Sequence, residues 1–346
     1  MTKKILLFSI TILIIAGVAG FWFWKKQKQE PTPEITNLQI VDVNTHLDQD
    51  KKVDAIKNSQ AIFTIVSPPP FRPNTPDLYD GDIFYSFVQQ NENVGFASGG
   101  GSLNTLIQRY GRQIEINKEI SSEFENRAEK IAALGAMAFG EVAALHLALD
   151  ENHPFEEVAP DHPLFLLLSD LSARFNLPIL FHMEAVDGDM KLPDRLQVAP
   201  NNPDTLNGNI DKFETLLDHN PEAKIIWLQA GWDHTGDRTI ELMAELLDNH
   251  PNLYLGLKIG TDSLPETSPL DNAGNLKSEW SEFMIAYADK IVVASDNFFS
   301  LSTNSLSESK LRQDKIKTAL SQLPIEAAEK IAYKNAEKIF NLTISQ

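Results

Sequence analysis

The sequence of 346 residues contains no cysteine. Disulfide bonds, cysteine-ligated zinc, iron–sulfur clusters, a cysteine nucleophile and a lipid-modified cysteine are therefore excluded. Basic residues are also scarce, because 30 Lys and Arg stand against 48 Asp and Glu and give a net charge of −18. Binding to nucleic acid normally needs a basic face, so we expect no nucleic-acid partner.

Long apolar runs are rare as well. One segment, residues 5–24, is apolar and long enough to cross a bilayer, which excludes a transporter with many spans. Lysines flank it on both sides, and aromatic residues 21–24 lie at its far end, where membrane proteins carry an aromatic belt. We predict that residues 1–29 form an uncleaved transmembrane anchor, with a cleaved signal peptide as the alternative.

The segment after this apolar run predicts a short linker. Residues 30–37 contain Pro31 and Pro33, which favour a stiff, extended chain. Five lysines and one glutamate fall within the first 30 residues, so the remainder carries a net charge of −22. Anionic lipid repels such a domain. We expect a membrane-anchored protein whose large domain, residues 38–343, lies in the periplasm or outside the cell.

The large domain alternates short β-branched segments with amphipathic helical segments, a pattern that indicates a parallel sheet. Eight such segments favour an α/β fold, the (β/α)8 TIM barrel, in which chemistry occurs at the carboxyl ends of the strands. The predicted strands are 38–43, 61–66, 94–97, 136–140, 178–181, 224–228, 253–258 and 290–294. The predicted helices are 121–134, 164–175, 209–219, 240–249, 276–288 and 324–340.

Polar and ionisable residues follow almost every predicted strand. A barrel needed only for support has no use for such groups at these positions, whereas imidazole and carboxylate groups that converge there suit a divalent ion and a water molecule. Zn²⁺ is the first expectation, with Mn²⁺ or Fe²⁺ as alternatives. The residues are Asp42, Asn44, His46, Glu141, His182, Glu184, Gln229, Lys258 and Asp296.

Several of these residues lie in motifs that resemble a known family. Asp42-x-Asn-x-His46 looks like the Asp-x-His-x-His motif of the amidohydrolase superfamily. The resemblance continues in order through segments 178–182, 226–232 and 294–296, and residues 331–340 are similar to the closing helix of the amidohydrolase-2 branch. It extends from about residue 38 to residue 342. Each motif alone is weak, but five in the expected order predict the same barrel.

The resemblance implies metal-dependent hydrolysis by an activated water molecule. It maps His46, His182 and Asp296 onto metal ligands and also makes Asp296 the base that takes a proton from the water. Glu141 resembles a glutamate that bridges or supports the metal in some relatives, so it is a further candidate ligand of the ion. Lys258 joins Asp296 and Glu141 as a candidate catalytic residue.

Two positions depart from the family pattern, since Asn44 and Gln229 stand where the family has histidines. This loss argues against a binuclear site and leaves a single ion. We expect Asn44 and Gln229, together with Glu184, to bind substrate or support the ligands. Asp42 is predicted to orient His46, and His234 is a candidate replacement for the imidazole that Gln229 lacks.

Three functions remain open on the sequence. The first is a hydrolase for a small substrate, which Lys258 and the glycine-rich segment 99–101 suggest to be anionic. The second is a metal-free pseudoenzyme that binds a small molecule or a protein partner. The third is a decarboxylase on the same site. Whether His46, His182 and Asp296 hold a metal ion separates the first two, and the sequence leaves the oligomeric state open.

Overall fold

The computed structural model describes residues 38–47, 56, 59–68, 80–151, 153–260, 263–299 and 303–343. The predicted anchor, 1–29, and the linker, 30–37, lie outside the described residues. Within the described ranges, no helix is both long and apolar enough to cross a membrane.

In the part of the chain that the structure describes, eight parallel strands close into a barrel. Each strand pairs with the next in sequence, and β8 returns to β1, where Val293 lies opposite Asp42. The predicted barrel and its eight strands are confirmed. The strands are β1 (Val41–Leu47), β2 (Phe63–Ser67), β3 (Val94–Gly99), β4 (Ala138–His146), β5 (Ile179–Met183), β6 (Ile225–Ala230), β7 (Leu253–Leu257) and β8 (Ile291–Val293).

Helices follow the strands, and the six predicted ones are present. The predicted last helix is divided into α9, a π-helical turn (Lys330–Lys334) and α10. Helices α1, α2 and α8 were not predicted; α8 is mostly polar and buries Ser309 and Gln313, which conceals its periodicity. The helices are α1 (Tyr85–Val88), α2 (Leu103–Tyr110), α3 (Lys118–Ala133), α4 (Pro163–Phe175), α5 (Ile210–His219), α6 (Ile240–Asn249), α7 (Ser278–Ala286), α8 (Thr303–Ser321), α9 (Ile325–Glu329) and α10 (Asn335–Phe340).

An aromatic column joins the strands of one side of the barrel to their helices. Phe165 of α4 packs on Phe181 of β5, which stacks on Phe213 of α5, and Phe213 contacts Trp227 of β6; the ring centroids are 5.3, 5.4 and 5.2 Å apart. Each such pair contributes about 0.5–1.5 kcal/mol beyond simple burial. The Trp227 indole N–H also donates to the Met183 carbonyl at 2.8 Å, which fixes the end of β5 beside β6.

Three strands gain residues relative to a neighbour, as β-bulges do. The shifts fall between Asp42 and Thr45 of β1, between Phe139 and Val142 of β4, and between Trp227 and Ala230 of β6, and β4 has a second shift between Ala143 and Leu145. These intervals contain three of the predicted site residues. A bulge changes the direction in which a side chain points. The register shifts, together with the strand order, therefore determine which side chains enter the site. The three residues are Asn44, Glu141 and Gln229.

The shift in β4 depends on Gly140. This residue has φ 144°, and a Cβ added to it would lie 2.7 Å from the Leu180 Cβ atom. Only glycine combines this backbone conformation with so close an approach of the neighbouring strand. Gly140 therefore sets the position from which Glu141 enters the site.

Asp42 has a different role from the predicted one. It is fully buried and accepts hydrogen bonds from the Ser295 backbone N–H at 2.9 Å, from the Ser295 hydroxyl, and from the Thr45 hydroxyl at 3.0 Å. The shift in β1 separates it from the side on which His46 lies. Asp42 thus fastens β1 to the segment after β8, where the barrel closes.

We expect Asp42→Ala to lower the free energy of unfolding by about 3 kcal/mol, because it leaves buried donors without an acceptor. Urea unfolding monitored by circular dichroism measures the change. Asp204→Ala, at an exposed position, is the matched control and should change stability by less than about 0.5 kcal/mol. Equal effects of the two substitutions would contradict the role given to Asp42.

Candidate active site

A cavity of about 130 Å³ lies at the carboxyl ends of the barrel strands. Seven of the residues predicted from the sequence line it: His46, Glu141, His182, Glu184, Gln229, Lys258 and Asp296. Other lining residues had no predicted role: His146, Leu147, Leu149, His153, Trp232, Phe298 and Arg312. The barrel therefore brings the predicted strand-end residues into one place, although it surrounds them with groups that the motifs did not indicate.

His46 lies between two carboxylates. Its Nε2 atom is 2.9 Å from Asp296 Oδ1 and 3.3 Å from Glu141 Oε2, and all three side chains are buried. One potential ligand atom from each residue lies within 4.8 Å of the other two. Two carboxylate oxygens and one imidazole nitrogen at these separations can bind either a proton or a divalent cation.

Ser67, at the end of β2, determines which nitrogen of His46 faces the carboxylates. The Ser67 hydroxyl donates to Asn44 Oδ1 at 3.3 Å and lies 3.2 Å from His46 Nδ1. A hydroxyl carries one hydrogen, so we assign the proton between Ser67 and His46 to Nδ1. The other nitrogen, Nε2, then presents its lone pair or a second proton to the carboxylates. Ser67 was not predicted, although it ends a buried strand as the predicted residues do.

The sequence predicted that His182 would join His46 and Asp296 as a ligand, but Glu141 lies in that position. Its Oε1 atom accepts a hydrogen bond from His182 Nδ1 at 2.6 Å, and its Oε2 atom accepts one from Asn44 Nδ2 at 2.9 Å. His182 and Asn44 therefore orient the carboxylate. The three residues that group as possible ligands are His46, Glu141 and Asp296.

Asp296 is aimed into the cavity by its backbone. Its φ of 53° is rare for a residue other than glycine, and its N–H donates to the Asn44 carbonyl at 2.9 Å. Lys258 Nζ lies 2.6 Å from Oδ2, and Gln229 Nε2 approaches the same oxygen at 3.4 Å. Arg312, from α8, donates to the Asp296 carbonyl at 2.6 Å. The carboxylate thus faces His46 with one oxygen and Lys258 with the other.

These contacts set the charges of the cluster. Burial opposes the charge on His46, but the hydrogen bonds and charges of Asp296 and Glu141 outweigh it and raise the pKa of His46 to about 10. Burial also opposes ionisation of both acids. The two histidines nevertheless hold the pKa of Glu141 below its usual value, and Lys258 with His46 holds the pKa of Asp296 well below its own. Without a metal ion, the cluster is an imidazolium between two carboxylates.

Aromatic rings flank the charged groups. The Lys258 ammonium lies 3.3 Å from the centroid of the Trp232 ring, a cation–π contact. On another side Phe298 packs on His46 with 4.6 Å between ring centroids, and Phe298 remains 46% exposed. Phe298 belongs to a short strand (Asn297–Phe299) that extends the pairing with β1 beyond β8. The wall of the cavity is therefore partly apolar where it opens.

Two further histidines extend from His182 along the cavity. The ring of His146 is 4.8 Å from that of His182 and 4.6 Å from that of His153. Burial lowers the pKa of both His146 and His153, which favours their neutral forms near pH 7. His146 is the last residue of β4, which continues six residues beyond the predicted end of that strand. If the predicted fourth strand had extended to residue 146, the sequence would have placed His146 at the site.

Two predicted features, His234 and the glycine-rich segment, lie outside the cavity. His234 is bonded to Arg195 at 3.1 Å and packs edge-on against Trp232, so it does not replace the missing imidazole. The glycine-rich segment does not face the cavity: the Gly99 N–H donates to Asp80 at 2.6 Å. Glu184 does line the cavity, and burial raises the pKa of its carboxyl group.

No family model and no curated protein matches this chain. Among solved structures, the dihydroorotase of Saccharomyces cerevisiae in complex with 5-fluoroorotic acid aligns with a TM-score of 0.52 at 10% identity, over 88% of this chain and 84% of that one. The fold is similar to that of a dihydroorotase. The 2,6-dihydroxybenzoate decarboxylase from Rhizobium has a TM-score of 0.49 at 9% identity, over 88% and 99% of the two chains. The dihydroorotase of Campylobacter jejuni has a TM-score of 0.47 at 14% identity, over 89% and 85%.

We expect the chelator-treated protein to lose stability as the pH rises from 6.5 to about 10. The folded state raises the pKa of His46, so it binds more protons than the unfolded state in this window, and stability falls with pH. Urea unfolding at successive pH values measures the slope. His46→Gln should flatten it, while His219→Gln, at a partly exposed histidine, should retain it. Equal slopes for wild type and His46→Gln would contradict the assigned ion pair.

Proposed function

We propose that this barrel is a metal-dependent hydrolase that acts on a small, anionic substrate through an activated water molecule. The observation that supports it is the buried group of His46, Glu141 and Asp296, whose donor atoms lie within 4.8 Å of one another in the cavity wall. The fold supports a site at this end of the barrel. The activity itself is inferred from the donor atoms and their surroundings.

The donor set fits a divalent ion. It offers one imidazole nitrogen and two carboxylate oxygens, a combination that suits Zn²⁺ and also Mn²⁺ or Fe²⁺. The Ser67 contact leaves the Nε2 lone pair of His46 directed at the carboxylates. His182 holds Glu141 from the outside, as groups behind metal ligands commonly do. We therefore revise the predicted ligands to His46, Glu141 and Asp296, with His182 as the support of Glu141.

A divalent ion bound here supplies Lewis acidity that polarises a substrate carbonyl and acidifies a water molecule. Asp296 is ionised because Lys258 and His46 lie beside its two oxygens, so it is ready to take the proton of the attacking water. The Lys258 ammonium donates to Asp296 Oδ2 at 2.6 Å and so holds the carboxylate in its orientation. His182 and Asn44 hold Glu141 in place throughout, and Phe298 with Trp232 limits the access of bulk water.

The proposed negative charge of the substrate rests on two cations. Lys258 and Arg312 both line the cavity: Lys258 lies beside Asp296 Oδ2, and Arg312 donates to the Asp296 backbone carbonyl. Segment 99–101, which also suggested an anion, contributes nothing to the cavity. An anionic group in the cavity would lie near these two charges.

The proposal includes attachment to a membrane through residues 1–29, with the barrel outside the cytoplasm. It is supported by the apolar run of residues 5–24 and by the lysines that flank it.

Metal content tests the proposed function first. We expect mass spectrometry of protein purified without chelators or a histidine tag to find about one divalent ion per chain. Such protein should then hydrolyse members of a panel of small carboxylate-bearing amides and esters. Absence of metal after reconstitution with Zn²⁺ and with Mn²⁺ would favour the pseudoenzyme. Release of carbon dioxide without hydrolysis would favour the decarboxylase.

Two substitutions test which residues bind the ion. Glu141→Ala removes a proposed ligand and should abolish stoichiometric binding. His182→Ala removes only its support and should weaken the affinity by about 10–100-fold. Competition with a fluorescent chelator measures both affinities. If instead His182→Ala abolishes binding and Glu141→Ala preserves it, the ligand set predicted from the sequence is the correct one.

A further inference from the structure

A long excursion leaves the barrel after β5 and connects the segments that follow β4 and β6. Residues 187–208 form this strap, which contains a short two-stranded hairpin. On one side the strap is joined to the segment after β4, because the Asn202 amide and the Ala148 backbone exchange two hydrogen bonds of 2.8 Å. That segment lines the cavity through Leu147 and Leu149. The strap therefore contacts one wall of the candidate active site directly.

Arg195 joins the strap to the segment after β6. Its guanidinium lies 3.1 Å from His234 Nδ1 and also donates to the His234 carbonyl. A guanidinium can only donate, so we assign the acceptor role to Nδ1 and the proton of the neutral ring to Nε2. Arg195 is exposed, whereas His234 is 4% exposed. The two contacts thus tie a solvent-facing cation to a buried imidazole and fix the orientation of that ring.

The His234 ring in turn supports a wall of the cavity. It packs edge-on against Trp232, with 4.0 Å between the ring centroids. The Lys258 ammonium lies 3.3 Å from the centroid of the same indole and donates to Asp296 Oδ2 at 2.6 Å. A chain of direct contacts therefore leads from Arg195 on the strap, through one imidazole, one indole and one ammonium group, to the carboxylate of the site.

We propose that Arg195 and His234 are positioning residues of the proposed hydrolase. They hold the Trp232 ring against the Lys258 ammonium, so that this ammonium stays on Asp296 Oδ2. A lysine ammonium sits on a flexible stem, and it keeps one place only where its surroundings fix it. The inference rests on the proposed function, in which Asp296 takes a proton, and goes beyond it by giving the strap a part in aligning that base.

The first experiment measures the contact between Lys258 and Trp232 without reference to activity. Protons above an indole face experience its ring current, which moves their resonances upfield. The full chain is prepared with isotope-labelled lysine, and Lys258→Arg identifies the side-chain resonances. We expect Arg195→Ala to move them back towards the ordinary lysine position. The matched control is Arg174→Ala, at an exposed arginine that pairs with Glu129 at 2.9 Å, and it should leave them unchanged.

A conservative substitution at the same position makes the test graded. Arg195→Lys keeps one donor but loses the fork that reaches both acceptors of His234. Its lysine resonances should lie between those of the wild type and of Arg195→Ala. This variant also provides the comparison with the wild type if Arg195→Ala does not fold, which circular dichroism determines for each protein.

The second experiment measures kcat/KM of the metal-loaded protein on a substrate found in the panel of amides and esters. Arg195→Ala should lower it about tenfold, because a small displacement that starts far from the chemistry still disturbs the alignment. His234→Phe keeps a ring against Trp232 but removes the acceptor, so it should have the same effect. If both residues act through one contact, the double variant should also lose about tenfold, whereas independent effects would multiply to about a hundredfold.

The outcomes separate this inference from the proposed function. A wild-type Lys258 without an upfield shift, unchanged lysine resonances in Arg195→Ala, or multiplied losses in the double variant would overturn the positioning role. Wild-type protein that shows the upfield shift but binds no metal and hydrolyses no member of the panel would instead count against the proposed function.

Discussion

The whole site depends on two buried carboxylates that face one nitrogen atom. Glu141 and Asp296 would repel each other inside the barrel if no cation lay between them. His46 Nε2 occupies that position, 3.3 Å from one and 2.9 Å from the other. His182 then donates to the outer oxygen of Glu141, and Lys258 donates to the outer oxygen of Asp296. Each neighbour of the cluster therefore compensates for part of the cost of burying these two acids.

Asn44 and Gln229, which stand where the family pattern has histidines, fit this arrangement. Their presence therefore does not imply a loss of function. Asn44 donates to Glu141 and accepts from Ser67, so it connects the carboxylate to the residue that fixes the His46 tautomer. Gln229 contacts Asp296 with its amino end. Each amide thus faces a carboxylate of the cluster with its amino end. A site with one imidazole and two carboxylates needs neighbours that hold the carboxylates in place. A side-chain amide suits this role because it carries both a hydrogen-bond donor and an acceptor.

The fold and most site residues were predictable from the sequence, because strand ends in a parallel barrel converge whatever the details of pairing. The central place of Glu141 beside His46 and Asp296 was less predictable. Period-two alternation placed Asp42 on the same side as His46, but the register shift in β1 separates them, and the shift in β4 directs Glu141 into the cluster. Such shifts depend on local contacts across strands, like the approach of Leu180 to Gly140. Ser67 and Arg312 were missed since a lone serine and a helical arginine carry no motif.

Charge balance links the ion to the substrate. With a proton on His46, the two carboxylates are matched by the imidazolium and by Lys258, so these four groups are neutral together. A divalent ion that displaces this proton leaves the same set with one net positive charge. Buried charge is costly unless it is paired, and the anionic substrate proposed above would provide such a partner. In the proposed hydrolase, a bound divalent ion would therefore add to the attraction that Lys258 and Arg312 exert on an anionic group.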